Sequence, residues 1–365
     1  MKRILPIIIL SFLLTHIQQL HAQNTLLEVK ELQSTPKLYT AKKISIPVNI
    51  DGQIDSIWNL ANWSSDFLDI EGNKKAKPTL HTAVKMLWDD ENLYLLAKLE
   101  EPHIWATLKN HDDIIYHDND FEVFIKPDAN SSSYYELEVN ALNTVMDLLM
   151  VKPYRFDGKA LMNWDFKGIK TAVHHQGSIN NPNDVDEYWT VEIAIPFKSI
   201  TAFGKNATPK PGAYWRINFS RVQWQHDIEN GKYARKVEHN KLIPEHNWVW
   251  SPIGLINMHY PERWGFITFT DKNTSISLPE YYLLEKMAWN IHYLQRIHKI
   301  KHKKYASKLI DLEGYDSILK DCVENFKVNM TVNQNLDFYH VELKQNNTNN
   351  IFTIDNKGNY TTNYD

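Results

Sequence analysis

Among 365 residues there is one cysteine, there are 12 glycines, and there is no basic excess. A lone Cys322 excludes an internal disulfide framework, so the fold must rest on its core. With no His-rich motif beside it, Cys322 is expected as a small core residue rather than a nucleophile. A formal net charge of −4 excludes recruitment to nucleic acid or an anionic membrane by bulk electrostatics. Past the N-terminus, no apolar run is long enough to cross a bilayer. A nucleophile elbow, a His-Glu-x-x-His pair, a phosphate-binding glycine loop and a CxxCH haem-attachment motif are all missing. So is any repeat of solenoid or propeller type.

Aromatic residues are what the chain has instead. Twelve Trp and 18 Tyr in so glycine-poor a sequence indicate an aromatic-rich β protein, or a surface that stacks on something flat. The first 22 residues read as an export signal: Lys2 and Arg3, the apolar run "ILPIIILSFLL", and a small-residue cleavage site at Leu20-His21-Ala22. The mature chain is therefore expected outside the cytoplasm: secreted, periplasmic or at the cell surface, with no membrane span.

Residues 23–43 form a polar lead-in. From Ile44 to about residue 271, short alternating segments follow one another between turn residues: "HTAVKMLW", "NLYLLAKLEEP", "YYELEVNAL", "YWTVEIAIPF", "AYWRINFSRV" and "RWGFITFT". With only one brief helical segment around Trp58, this pattern predicts a mainly β fold, an antiparallel β-sandwich of jelly-roll or immunoglobulin-like type. Trp58, Trp88, Trp189 and Trp215 are expected in its core. Residues 272–365 predict a small C-terminal α+β module. Pro279 opens a long helix, with Leu284, Met287, Ile291, Leu294 and Ile297 at helical spacing, and a β-meander follows. A capping or docking role is expected for this module, so deletion after Thr270 should leave ligand binding intact.

The segment "IIYHDNDFEVFIKP" (114–127) carries the chemistry. Strand alternation puts Asp118, Asp120 and Glu122 on one face and Phe121, Val123 and Ile125 on the other. Glu122 and Glu138 would be a glycosidase pair if their strands were neighbours and the two faced each other about 5–10 Å apart across a substrate. As metal ligands, the acids of "HDDIIYHDND" suit calcium but lack EF-hand spacing, so a solvated surface loop is expected. His174 and His175 point to opposite faces of a strand and do not chelate together. A third reading is a sugar platform, with carboxylates and amides for hydroxyls and aromatic rings for C–H faces. Glu122, Glu138, Asn140, Arg216 and Asn218 all occupy the non-core phase of their strands, and Tyr116, Trp248 and Trp250 are expected in loops at strand ends.

Six segments in order, "DGQIDSIWNLANW", "VKMLWDDENLYLLAKLEEP", "DNDFEVFIKP", "YYELEVNAL", "WTVEIAIPF" and "HYPERWGFITF", resemble the family 9 carbohydrate-binding modules from about Ile46 to Phe269. The resemblance implies a sugar-binding β-sandwich that works beside plant-polysaccharide-degrading enzymes, with structural calcium. It places Tyr116 and either Trp250 or Trp248 as the two walls of an aromatic clamp, and Glu122 as a sugar ligand. A family arginine falls on Glu138, a charge reversal, while Val139 and Asn140 match the motif. The segment "VQWQHDIENGKYARKVEHN" reads as an inserted loop that rebuilds or covers the site.

The leading expectation is thus a non-catalytic carbohydrate-binding protein with a polysaccharide or oligosaccharide as partner. The alternatives are a haem- or redox-cofactor-binding sandwich using Met86, Met146, Met150 or Met162, a cell-surface docking protein, and a glycoside hydrolase.

Overall fold

Period-two alternation becomes strands wherever one phase is uniformly apolar. The computed structural model describes residues 28–201, 208–272 and 277–364. The expected signal peptide and the side chain of Cys322 lie outside this description. The strands are β1 (Leu38–Lys43), β2 (Thr82–Trp88), β3 (Asn92–Glu100), β4 (Asp120–Lys126), β5 (Tyr134–Asn140) and β6 (Val145–Met150). They continue as β7 (Lys170–Gln176), β8 (Tyr188–Pro196), β9 (Tyr214–Gln223), β10 (His246–Val249) and β11 (Gly265–Thr270). With two dipeptide strands they make one 13-stranded sheet in the order β6-β5-β4-β9-β11-β1-β2-β3-β8-β7, with β10 pairing beside β9.

The sheet curls until its two halves face each other, like a sandwich. Phe121, Val123 and Ile125 of β4 meet Leu95, Ala97 and Leu99 of β3, Val191 and Ile193 of β8, and Ile217 and Phe219 of β9 in one core. Trp88, Trp189 and Trp215 are buried there as expected. Trp58 is buried in a smaller cluster with Leu87, Tyr94 and Leu96, and its indole N–H donates to Glu192 Oε1 at 2.6 Å. Antiparallel pairing holds everywhere in the main path except at β1, which runs parallel to both β11 and β2. The sheet thus begins inside the polar lead-in: Tyr39 and Ala41 alternate inward, and β1 joins the halves.

Beyond the sheet, α1 (Tyr282–His302) leads to an antiparallel meander of β12 (Phe326–Val332), β13 (Tyr339–Gln345), β14 (Ile351–Asp355) and β15 (Tyr360–Asn363). The basic residues Lys299, Lys301 and His302 fall in the last turn of α1, where the macrodipole favours cations. Helix and meander lie against the outer face of β4–β6. Phe124, Tyr134, Met146, Leu148 and Met150 share one core with Leu284, Met287, Ile291 and Leu294 of α1 and with Val341, Leu343, Phe352 and Ile354. The C-terminal part is the cover of the sheet's outer face. Burying five such side chains contributes about 1.5–3 kcal/mol each, comparable to the whole stability of a domain.

Arg216 ties the two parts together. Its guanidinium donates to Glu285 Oε2 of α1 at 2.8 Å and to the Trp264 carbonyl at 2.7 Å, and it stacks on Phe266. Both side chains are buried. Removing one partner of such a pair strands the other, at a cost of about 3–5 kcal/mol, whereas replacing both with apolar groups is nearly neutral. Glu285→Ala is therefore expected to lower the urea midpoint strongly, and Arg216→Met with Glu285→Leu to recover most of it. Truncation after Thr270 is expected to abolish the cooperative unfolding transition, because Phe124, Tyr134, Met146, Leu148 and Met150 lose their cover.

Candidate functional site

β4 and β5 pair in a register that sets Asp120 opposite Asn140, Glu122 opposite Glu138 and Phe124 opposite Glu136. These side chains form the outer phase of both strands. The α1 cover takes the Phe124 and Tyr134 end. At the other end it stops short, leaving a cavity of about 520 Å³ lined by Glu122, Glu136, Glu138, Tyr116, Tyr154 and His259, among others. Met146, Leu148 and Met162 supply apolar wall, and the lining contains no Lys or Arg.

Four acids are crowded here. One oxygen from each of Asp120, Glu122 and Glu138 lies within 4.8 Å of the other two. Glu138 Oε2 accepts the Tyr116 peptide N–H at 2.9 Å, and Asp120 Oδ1 accepts that of Val222 at 3.3 Å. Asp120 Oδ2 and Glu136 Oε2 are buried and accept nothing. Burial is the first cause pushing all four upward, and mutual repulsion is the next for three of them. Glu122 rises to about 7, by burial first, opposed by the nearby Ser220 hydroxyl. Glu136 rises to about 8, by burial and then by the charge of Glu122. Asp120 and Glu138 stand well above the carboxylate range. His259 goes the other way, down to about 3 by burial and then Arg155, so it is neutral, with Nδ1 2.8 Å from the Tyr134 hydroxyl. At neutral pH the site therefore holds protonated and ionised carboxyls side by side. It can accept and donate hydrogen bonds, or, ionised, hold a hard cation with oxygen ligands alone.

Of the residues picked from sequence, Tyr116, Glu122 and Glu138 come together at the cavity, with Tyr116 38% exposed at its edge. The others do not. Asn140 is buried and structural: its Nδ2 donates to the Leu108 carbonyl at 2.9 Å and to Asp118 at 3.0 Å, and its Oδ1 accepts the Leu142 and Thr144 N–H groups. Arg216 lies at the α1 contact. Trp248 and Trp250, expected in loops, are 5% and 2% exposed in the inter-sheet core, because Trp248 on β10 and Trp250 just after it share the inward phase. The acidic loop is solvated only in its first half, with Asp112 and Asp113 half-buried and Asp118 and Asp120 buried. Asp118 is buried, accepting the Thr107 N–H and hydroxyl, the Leu108 N–H and the Asn140 amide.

Sequence reading passed over Glu136, Tyr154, Glu245 and His259. Glu136 shares the strand phase of Glu138 and was findable on that signal. Tyr154 and His259 come from connections whose course alternation does not predict. The inserted segment braces the site through Trp224, which donates its indole N–H to the Tyr116 carbonyl at 2.8 Å, and just beyond that segment Glu245 reaches the cavity wall. A larger depression of about 760 Å³ lies over β2, β3 and β8, lined by Trp63, His81, Lys98 and Tyr188. Its basic groups are already paired, His81 with Asp66 and Lys98 over the Tyr188 ring. The smaller cavity is the better candidate because its buried oxygens still lack partners.

Residues 50–220 match the family model described as carbohydrate family 9 binding domain-like. Exoglucanase XynX of Acetivibrio thermocellus is 28% identical over 153 residues, 42% of this chain and 12% of that enzyme. Endo-1,4-beta-xylanase A of Thermotoga neapolitana is 35% identical over 98 residues, 26% of this chain and 8% of that enzyme. The chain thus spans about a tenth of the length of these curated relatives. Among solved structures, a family 9 carbohydrate-binding module from Caldicellulosiruptor kristjanssonii in complex with cellotriose is 17% identical, with a TM-score of 0.40, covering 67% of this chain and 98% of that one. Its complex with glucose gives 19% identity and a TM-score of 0.40, covering 66% and 100%. Among the described residues no helix is long and apolar enough to cross a membrane.

Carboxyls whose folded pKa is raised bind protons more tightly folded than unfolded. Their stabilisation is complete below the unfolded value near 4.5 and is lost as pH rises through about 7 to 8. The chain is expected to be less stable at pH 9 than at pH 6. Glu136→Gln should flatten that slope, so that the urea midpoint falls less between pH 6 and pH 9 than in the wild type.

Proposed function

We propose that this chain, whose residues 50–220 form a carbohydrate family 9 binding domain-like segment, is an exported, non-catalytic protein. It binds neutral oligosaccharide or polysaccharide in the Glu122–Glu138 cavity, in the service of a glycan-degrading system. The observation that carries this reading is the directly opposed Glu122–Glu138 pair, lining a cavity edged by the Tyr116 and Tyr154 rings. Sugar hydroxyls donate to ionised carboxylates, often two to one group, and apolar C–H faces stack on tyrosine. Protonated Glu136 supplies a donor to a ring or bridging oxygen.

Two features refine the ligand. Where the resemblance puts an arginine this chain has Glu138, and no cation lines the cavity. The site therefore disfavours uronic acids, whose carboxylates would meet like charge. The two glutamates also stand side by side on one sheet face, with oxygens within 4.8 Å, which suits a shared hydroxyl cluster better than general acid and base placed across a bond.

The test is a glycan-array and affinity-gel screen of the chain from Gln23 onward, with and without calcium, followed by calorimetry. Binding to a neutral plant-type glycan is expected, at least tenfold stronger than to its uronic-acid analogue. Tyr116→Ala should weaken binding about tenfold or more, a loss of about 1.4 kcal/mol or more, with the thermal midpoint unchanged. Silence across the screen from a folded protein would sink the reading.

A further inference from the structure

β6 contains an acid where the core phase calls for an apolar residue. Asp147 lies between Val145 and Leu149, both packed in the inter-sheet core, and a buried carboxylate needs compensation. Its Oδ2 accepts the Phe166 N–H at 2.5 Å, but its Oδ1 is buried and accepts no hydrogen bond. Three other residues bring candidate ligand atoms close to it. His111 Nε2 is 3.5 Å from Asp147 Oδ1, 3.2 Å from Asp165 Oδ1 and 3.6 Å from Asp112 Oδ1. One atom from each of the four residues lies within 4.8 Å of every other. Asp112 Oδ1, too, is buried without a hydrogen bond.

The imidazole is oriented from behind. Its Nδ1 is 2.9 Å from the Val145 carbonyl. A carbonyl only accepts, so Nδ1 carries the hydrogen and Nε2 faces the carboxylates. The same carbonyl accepts the Asp112 N–H at 3.0 Å, so one peptide unit of β6 positions two of the four donors. A histidine fixed through one nitrogen by a backbone carbonyl, with the other turned toward carboxylates, is how proteins preset a metal ligand.

A protonated His111 does not satisfy this arrangement. Its single Nε2–H reaches one carboxylate, Asp165 at 3.2 Å, and leaves the two buried oxygens unbonded, with three negative charges facing one positive. A divalent ion among the four donors would bond to all of them. The spacing agrees: ligands about 2.0–2.2 Å from a tetrahedral ion sit roughly 3.3–3.6 Å apart, close to the three His111–carboxylate separations.

We propose that His111, Asp112, Asp147 and Asp165 bind one divalent transition-metal ion of the zinc class. The ion ties the connection that leads to Tyr116, strand β6 and the Asp165 loop into one unit. One imidazole with three carboxylates suits zinc or manganese, whereas calcium takes oxygen ligands. The site is separate from the sugar cavity and does not depend on that reading.

The test is calorimetric titration of tag-free, chelator-dialysed full chain with zinc, manganese and calcium chlorides, alongside thermal unfolding. One zinc per chain is expected, at least tenfold tighter than calcium, with a raised thermal midpoint. His111→Ala and Asp165→Asn should each weaken zinc at least tenfold. Asp165 is largely exposed, so the second variant keeps its metal-free thermal midpoint even if the first does not fold. No zinc uptake by folded wild type, calcium bound as tightly as zinc, or zinc affinity unchanged in Asp165→Asn would each overturn the proposal.

Discussion

Two adjacent strands, β4 and β5, put apolar residues inward and carboxylates outward in register, and much of the molecule follows from covering that outer face. A sheet can leave one side to water, and alternating sequences normally do. Here Phe124, Tyr134, Met146, Leu148 and Met150 make the outer side of β4–β6 apolar over part of its length, so it needs a second layer. The α1 helix and the meander provide it. Where the layer ends, the same strands carry Glu122, Glu136 and Glu138. The cavity is the boundary between the covered and acidic parts of one surface.

That boundary explains the electrostatics. The cover and the inserted segment withdraw water from the acids without bringing a cation to them. Among the described residues, buried arginines with paired carboxylates are engaged elsewhere: Arg155 with Glu262, Arg216 with Glu285, Arg221 with Glu101. Desolvation is therefore opposed only weakly, and protons stay on carboxyls at neutral pH. A buried acidic group left short of partners is poised for a ligand that brings donors. The proposed sugar supplies hydroxyl donors at the cavity, and the proposed metal ion supplies positive charge at the edge of β6.

The aromatic content also sorts by location. Trp248 and Trp250, expected at a sugar clamp, instead join Trp88, Trp189 and Trp215 in the space between the halves of the sheet. Tyrosines edge the cavity, which suits them, since the ring stacks while the hydroxyl stays wet. Gly265 marks how close that packing is: a Cβ there would come within 2.3 Å of the Trp250 ring.

Sequence by itself determined what depends on neighbours along the chain. The mainly β class, the long helix, the core places of Trp58, Trp88, Trp189 and Trp215, and the common face of Asp120, Glu122 and Glu138 all follow from period and phase. Only the tertiary structure decided what depends on segments distant in the chain. It set β1 between two strands it joins in parallel, turned Trp248 and Trp250 inward, gave Arg216 to Glu285, and laid α1 over the apolar part of the outer face of β4–β6. It also brought His111, Asp112 and Asp165 to an aspartate on β6. Alternation specifies which side of a strand a residue takes, but not what will lie against that side. That is settled by packing between elements far apart in sequence, to which local patterning is blind.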